Sequence, residues 1–132
     1  MLILLSFLEG ILMKDLLQET EIAIGLAELL HDHKGIAVIA MDMRDLNFWT
    51  DFFIIATVTS SVHLSGLEKF IKEFSRANDI EILRRSRRPA VEEEWCLIDL
   101  GNIVIHLMND RARAFFELEK LWSAAPRIFE KE

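Results

Sequence analysis

Four histidines, four aspartates near expected strand ends, a cluster of hydroxyls and a run of arginines are the side chains of this sequence with types suited to chemistry. His31 and His33 fall near one expected helix end, while His63 and His106 belong to separate elements. No HExxH spacing or other compact ligand motif joins them, so no metal site is expected. Asp42, Asp45, Asp51 and Asp99 pose a sharper question, because two or three such carboxylates can hold Mg²⁺ for phosphoryl transfer. The sequence has no P-loop, no Rossmann glycine pattern and no acidic pair after a glycine-serine turn. We therefore expect these aspartates to cap loops or accept backbone N–H bonds. Ser60, Ser61 and Ser65 sit in no nucleophile elbow; with Thr59 they are expected at the turn and opening of the next helix. No catalytic residue and no cofactor are expected.

Arg84, Arg85, Arg87 and Arg88 make the strongest local charge feature. Guanidinium geometry suits RNA phosphate, so these four are candidate RNA contacts, although no aromatic stacking motif interleaves with them. Pro89 argues against a regular element there, and a solvated loop is the expectation. Glu92, Glu93 and Glu94 follow closely and can fold back as local ion partners, or meet a basic partner instead. Cys96 is the only cysteine, which excludes an intrachain disulfide and a cysteine-cluster metal site. It lies beside Trp95 in an alternating segment, the setting of a buried small hydrophobe.

Something must position these groups, and 132 residues at 52% apolar composition, with five glycines and two prolines, can build one ordered domain with a real core. A net charge of −7 discourages nonspecific adhesion to nucleic acid or an anionic membrane and fits a basic protein partner better. A soluble, cytoplasmic protein is expected. Residues 1–14 read as an N-terminal extension: Met1 to Met13 is apolar except for Ser6, Glu9 and Gly10, too short and interrupted to span a membrane. Either it adds a turn or helix, or the start is overextended and Met13 is the first residue.

Asp15 to His33 repeats Leu16, Ile22, Leu26, Leu29 and Leu30 near a helical period, with Gly35 as a stop. Ile36 to Met41 and Phe52 to Val58 read as buried strands separated by a polar loop at Arg44 to Asn47. Val62 to Arg76 is helical, with Leu64, Leu67, Phe70, Ile71 and Phe74 inward and Glu68, Lys69, Lys72 and Glu73 at more polar positions. Ile80 to Leu83 is expected as a short strand. Trp95 to Leu100 and Ile103 to Met108 form a hairpin around Gly101 and Asn102. Asn109 or Asp110 opens a last helix carrying Phe115, Leu118 and Trp122 on one face, and Pro126 closes the ordered part. The fold class is α/β: a mixed sheet covered by helices. The domain is expected over residues 15–126, with 127–132 a short tail.

Three separated stretches are more specific than composition. Asp51, Phe52 and Phe53, running on to Thr57, resemble the aspartate-aromatic-phenylalanine strand of the ribosomal silencing factor family, also called the Iojap family. Trp95 to Asp99, with Gly101 and His106, resemble its tryptophan-to-aspartate-glycine hairpin and the histidine of its return strand. Arg113, Phe116, Leu118, Glu119, Leu121 and Trp122 resemble its terminal signature. The resemblance spans about Leu16 to Pro126 in the correct order. It implies a fold related in shape to nucleotidyltransferases, without catalysis. It also implies binding to the large ribosomal subunit through its protein numbered fourteen, steric exclusion of the small subunit and lowered translation, with a homodimer as a secondary expectation. No membrane and no small-molecule substrate are implied.

On this reading Asp51, Phe53, Trp95, Asp99, Gly101 and Leu118 are signature residues that build the structure, and His106, Phe116, Glu119 and Trp122 are the candidate partner contacts. The sequence departs from the family pattern at Phe52, which stands for a tyrosine, and at Val58 and Thr59, which stand for glycine and asparagine. It departs again at His63, Leu100 and Met108. Those changes bear on turn geometry and partner affinity. The competing readings are a divergent metal-dependent nucleotidyltransferase built on the aspartates, and an RNA-binding accessory protein built on Arg84 to Arg88.

Overall fold

Two parallel strands form the centre of the molecule, and both are the apolar runs legible in the sequence: β2 (Phe52–Thr57) and β5 (Ile103–Met108), buried at every position. A strand lined on both sides by apolar residues needs cover on both sides, which places these two in the interior of a sheet. The computed structural model describes residues 1–46, 49–89 and 93–132. Around the central pair lie α1 (Leu2–Asp32), β1 (Ile36–Asp42), α2 (Ser61–Ala77), β3 (Arg84–Pro89), β4 (Glu94–Asp99), α3 (Asp110–Phe116), α4 (Leu118–Leu121) and β6 (Arg127–Lys131). The six strands run in the order β3-β4-β5-β2-β1-β6, antiparallel except for β2 and β5. The mixed α/β sheet expected from the sequence is therefore present.

Alternation along the strands divides the core into two layers. Phe52, Ile54, Ala56, Cys96, Ile98, Ile103, Ile105 and Leu107 face α1 and α2, meeting Ala23, Leu26, Leu30, Leu64, Leu67 and Ile71. Phe53, Ile55, Trp95, Leu97, Val104 and Met108 face the other way, towards Phe116, Leu118 and Trp122. Cys96 is fully buried among hydrophobes, and burial pushes its thiol up to about 11. Such a thiol is unreactive.

The expected helix from Asp15 extends back to Leu2. It stops with Lys34 in the left-handed region (φ 71°), and Gly35 is there for a different reason. A Cβ on Gly35 would lie 2.7 Å from the Leu30 carbonyl oxygen. Ser60 caps α2, its Oγ accepting from the His63 N–H, and Asn109 caps α3 by accepting from the Ala112 N–H. Arg44–Leu46 is a 3₁₀ turn, while Asn47, the end of the loop expected there, lies outside the described residues. Among the described residues no helix is long and apolar enough to cross a membrane.

Four expectations need correction. Ile80 to Leu83 is not a strand; Ile80 and Ile82 pack against the core, and the strand is the arginine segment that follows. It pairs with β4 from Arg84 opposite Asp99 to Pro89 opposite Glu94. An edge strand tolerates charge and proline because its outer backbone groups face no neighbour. Glu68, expected at a more polar position of its helix, is 6% exposed. The last helix breaks at Glu117, which takes a left-handed conformation (φ 47°) and separates α3 from α4. Finally, residues 127–131 are not a tail but the strand β6, paired along β1.

Candidate partner-binding face

Among the described residues the helices over the second layer are the two short ones, and aromatic side chains help complete it. On β5, alternation turns Val104, His106 and Met108 to this side, and on β4 it turns Trp95 and Leu97 to the same side. Trp95 Nε1–H donates to Nδ1 of His106 at 3.1 Å. An indole nitrogen can only donate, so Nδ1 is the acceptor and the imidazole proton sits on Nε2. His106 is 3% exposed, and burial drives its protonation down to about 4, which leaves the ring neutral at ordinary pH. Phe53 meets it edge-on at 4.8 Å.

From that buried pair the rings continue outward. Phe116 lies 4.6 Å from Trp95, and Phe115 lies 5.0 Å from Phe116 in an edge-to-face arrangement. Trp95 and Phe116 are half-buried; Phe115 is 69% exposed and Leu121 66%. Arg88 places its guanidinium 5.6 Å over the Phe116 ring. The result is a continuous aromatic path from the sheet to solvent, flanked by a cation. A rigid aromatic patch of this kind suits desolvation by a protein partner.

The expected contact residues take different places on this surface. Phe116 lies on it and Trp122 borders it, half-buried, with its ring 6.3 Å from that of Phe53. His106 lies beneath it as the support of Trp95, so it is not a surface contact. Glu119 accepts from Arg113 Nε at 3.0 Å, and Arg113 Nη1 also reaches Thr57 Oγ1 at 3.0 Å and the Ile36 carbonyl at 3.3 Å. That set ties α3 and α4 to the ends of β1 and β2. Phe115 and Leu121 were not singled out as contacts, because a single unbroken helix would turn Phe115 inward. Only the left-handed turn at Glu117 shows otherwise.

Of the signature residues, Phe53 and Leu118 are buried in the second layer. Asp99 accepts from the Gly101 N–H at 2.8 Å, and Gly101 holds φ at 94°, a conformation that favours glycine. Asp51 lies beside Glu19, whose carboxyl is raised above its ordinary value by burial and by that neighbour. Asp42 is held below the usual carboxylate range by Arg44, which bonds both its oxygens. Asp99 is thus occupied in a turn and Asp42 in an ion pair. Among the described residues no three His, Cys, Asp or Glu side chains gather to hold a metal ion.

The four arginines do not act as one cluster. Strand alternation sends Arg85 and Arg87 to the helix side, and Arg84 and Arg88 to the other. Arg85 forks onto Glu68, with Nη2 at 2.8 Å from Oε1, and this pairing lowers the Glu68 carboxyl. Arg87 bonds Glu94, while Arg84 and Arg88 approach Asp99 and Glu93 at 3.8 and 3.5 Å. The fold-back ion partners considered for Glu93 and Glu94 are thus formed; Glu92 lies outside the described residues. Each arginine already has a carboxylate.

Comparison with known proteins agrees with this geometry. The family described as "Ribosomal silencing factor during starvation", RsfS, matches residues 17–132. The Treponema pallidum protein named ribosomal silencing factor RsfS is 34% identical over 100 residues, covering 76% of this chain and 88% of that one. A crystal structure of a Chromobacterium violaceum protein superposes with a TM-score of 0.70 at 27% identity, over 78% of this chain and 84% of that one. Another, from Bacillus halodurans, gives 0.64 at 30% identity over 88% and 98%. The matched span contains every strand of the sheet and the whole aromatic path, and the chain belongs to the RsfS family of ribosomal silencing factors.

Proposed function

We propose that this chain represses translation by occupying the large ribosomal subunit, through its protein numbered fourteen, and so excluding the small subunit. The observation that carries the reading is the aromatic path from half-buried Trp95 and Phe116 to exposed Phe115, on a chain of this family. The mechanism is steric. No bond is made or broken, and the nucleotidyltransferase likeness is taken as one of outline alone. The path supplies apolar area for desolvation, and Arg88 stacked on Phe116 supplies a charged rim. His106 and Glu119 contribute by holding Trp95 and the α3–α4 turn in place. The cytoplasm, where subunits join, is the expected site of action.

Purified protein is expected to co-sediment with isolated large subunits and to suppress their joining to small subunits. Phe115→Ser with Leu121→Ser should abolish both effects while the unfolding transition stays near that of the parent chain. Failure of the folded parent chain to sediment with large subunits would defeat the reading. Binding that survives the double substitution would move the contact to another face.

A further inference from the structure

The chain carries a net charge of −7, yet one cleft on its helix side is walled mainly by cations. It lies between α2 and the edge strand β3, holds about 350 Å³, and is lined by Ser65, Glu68, Lys69, Lys72, Arg85 and Arg87. Helical spacing of three and four residues puts the first four on one side of α2. Strand alternation puts Arg85 and Arg87 on the side of β3 that meets them. Half of the arginine run therefore takes part, joined by two lysines from a different element. The charges are not equivalent. Arg85 forks onto Glu68 through Nε and Nη2, and Arg87 bonds Glu94 through Nη2. Lys69 and Lys72 are exposed and, among the described residues, stand in no ion pair. With Glu68 and Glu94 both counted, two positive charges stay uncompensated. The Glu68 carboxyl is held low chiefly by Arg85, with Lys72 and Arg87 adding to the effect, so the cations converge on one spot.

We propose that this cleft is a phosphate-binding site for a ligand carrying two or more phosphate groups, in a free polyphosphate or along a single RNA strand. Three features select that chemistry. The first is the supply of donors. A guanidinium has five N–H groups, of which Arg85 uses two on Glu68 and Arg87 uses one on Glu94. The Arg87 Nε–H, shut off from solvent, has no acceptor, so the internal carboxylates leave the arginines under-satisfied. The second is order. Glu68 and Glu94 hold both guanidinium groups in place before a ligand arrives, which lowers the entropic cost of binding. The third is shape and sign. A phosphate presents acceptor oxygens in a tetrahedron, suited to donors that arrive from two elements, where a carboxylate engages a single planar fork. A cleft walled by one sign of charge also concentrates such anions against the repulsion of an acidic chain. The site lies across the sheet from the aromatic path, so it stands apart from the large-subunit reading.

Calorimetric titration of the full chain with tripolyphosphate, and separately with a short oligouridine RNA, tests the site. At least one probe should bind saturably, one to one, at physiological ionic strength. Lys69→Gln with Lys72→Gln should weaken that binding about tenfold or more. Its unfolding transition should stay near that of the parent chain, since both side chains are exposed. For RNA the same pair should lower the salt slope by about 1.4, two contacts at about 0.7 each. Lys14→Gln with Lys120→Gln removes equal charge elsewhere and should leave binding unchanged. Binding of tripolyphosphate alone identifies the ligand as a free polyphosphate, and binding of RNA alone identifies a strand. Binding of both, with the same dependence on the lysines, makes the phosphate group the recognised unit. If neither probe binds, the inference is overturned. Binding that survives loss of both lysines, or that falls equally with the control pair, overturns it too. A glutamate peptide that binds as tightly replaces phosphate by an acidic protein surface. Every arm is read on the free chain, so its outcome is distinguishable from large-subunit binding.

Discussion

The two sides of the sheet are built from the same alternating strands and covered in different ways. On one side α1 and α2 close over Phe52, Ile54, Ile105 and Leu107 with aliphatic residues at helical spacing. On the other, α3 and α4 are too short to seal the layer, and Trp95, Phe116 and Trp122 complete it while staying half-exposed. Close aliphatic packing gives stability and leaves little to offer a partner. An incompletely covered aromatic layer gives less stability and leaves apolar area available, already ordered by its own ring contacts. The difference separates the side that holds the fold from the side proposed to bind.

Substitutions should break this comparison unevenly. Leu67→Ala, on the closed side, should lower unfolding free energy by about 2–5 kcal/mol, read from denaturant midpoints. Acid tests the open side through His106. Its folded value of about 4 lies below the ordinary histidine value, so the unfolded chain takes up the proton first. Stability should fall as pH drops from about 6.5 towards 4, by about 3 kcal/mol in all, with no effect above that window. His106→Leu should remove that share of the pH dependence, and an unchanged profile would exclude His106 as its source.

Arg85→Ala leaves the Glu68 carboxylate buried on the closed side without its fork. Because Arg85 itself is part-exposed, a cost of about 2 kcal/mol is expected rather than the larger value of a fully buried pair. Glu68→Gln paired with Arg85→Ala should recover part of it, which a double-mutant cycle would show. Phe115→Ala should change stability least, by under about 0.5 kcal/mol, since its ring already faces solvent. Large-subunit affinity should nevertheless fall about tenfold or more, measured by co-sedimentation titration. Equal losses in stability and binding at Phe115 would erase the distinction between the two sides.

Most of the closed side was legible in the sequence, because its helices and strands advertise themselves by period. The open side was legible in part. Trp95 and Phe116 stood out by type and by family resemblance, and both lie on the surface where a contact was expected. Phe115 was read as inward-facing and Leu121 only as part of the terminal signature, because the helix break at the left-handed residue Glu117 is marked by no periodicity. His106 and Glu119 were drawn as contacts from the family signature; burial removes His106 from the surface, while Glu119 bonds Arg113 and stays part-exposed. The arginine strand was missed for a related reason. A composition typical of loops becomes a strand once β4 offers an open edge and carboxylates stand within reach of each alternating side chain.

The sequence by itself determined the fold class, the two central strands, the hairpin with its turn at Gly101, and where α2 and α3 open, with Ser60 and Asn109 among the cap candidates. All of these follow from local rules: side-chain period, backbone freedom and the need to satisfy the first N–H groups of a helix. Tertiary structure alone decided which arginine meets which carboxylate, which end of the chain closes the sheet beside β1, and which aromatic ring is left in water. Those outcomes depend on contacts between residues far apart in the chain, and on the break at Glu117 that turns α4 away from α3.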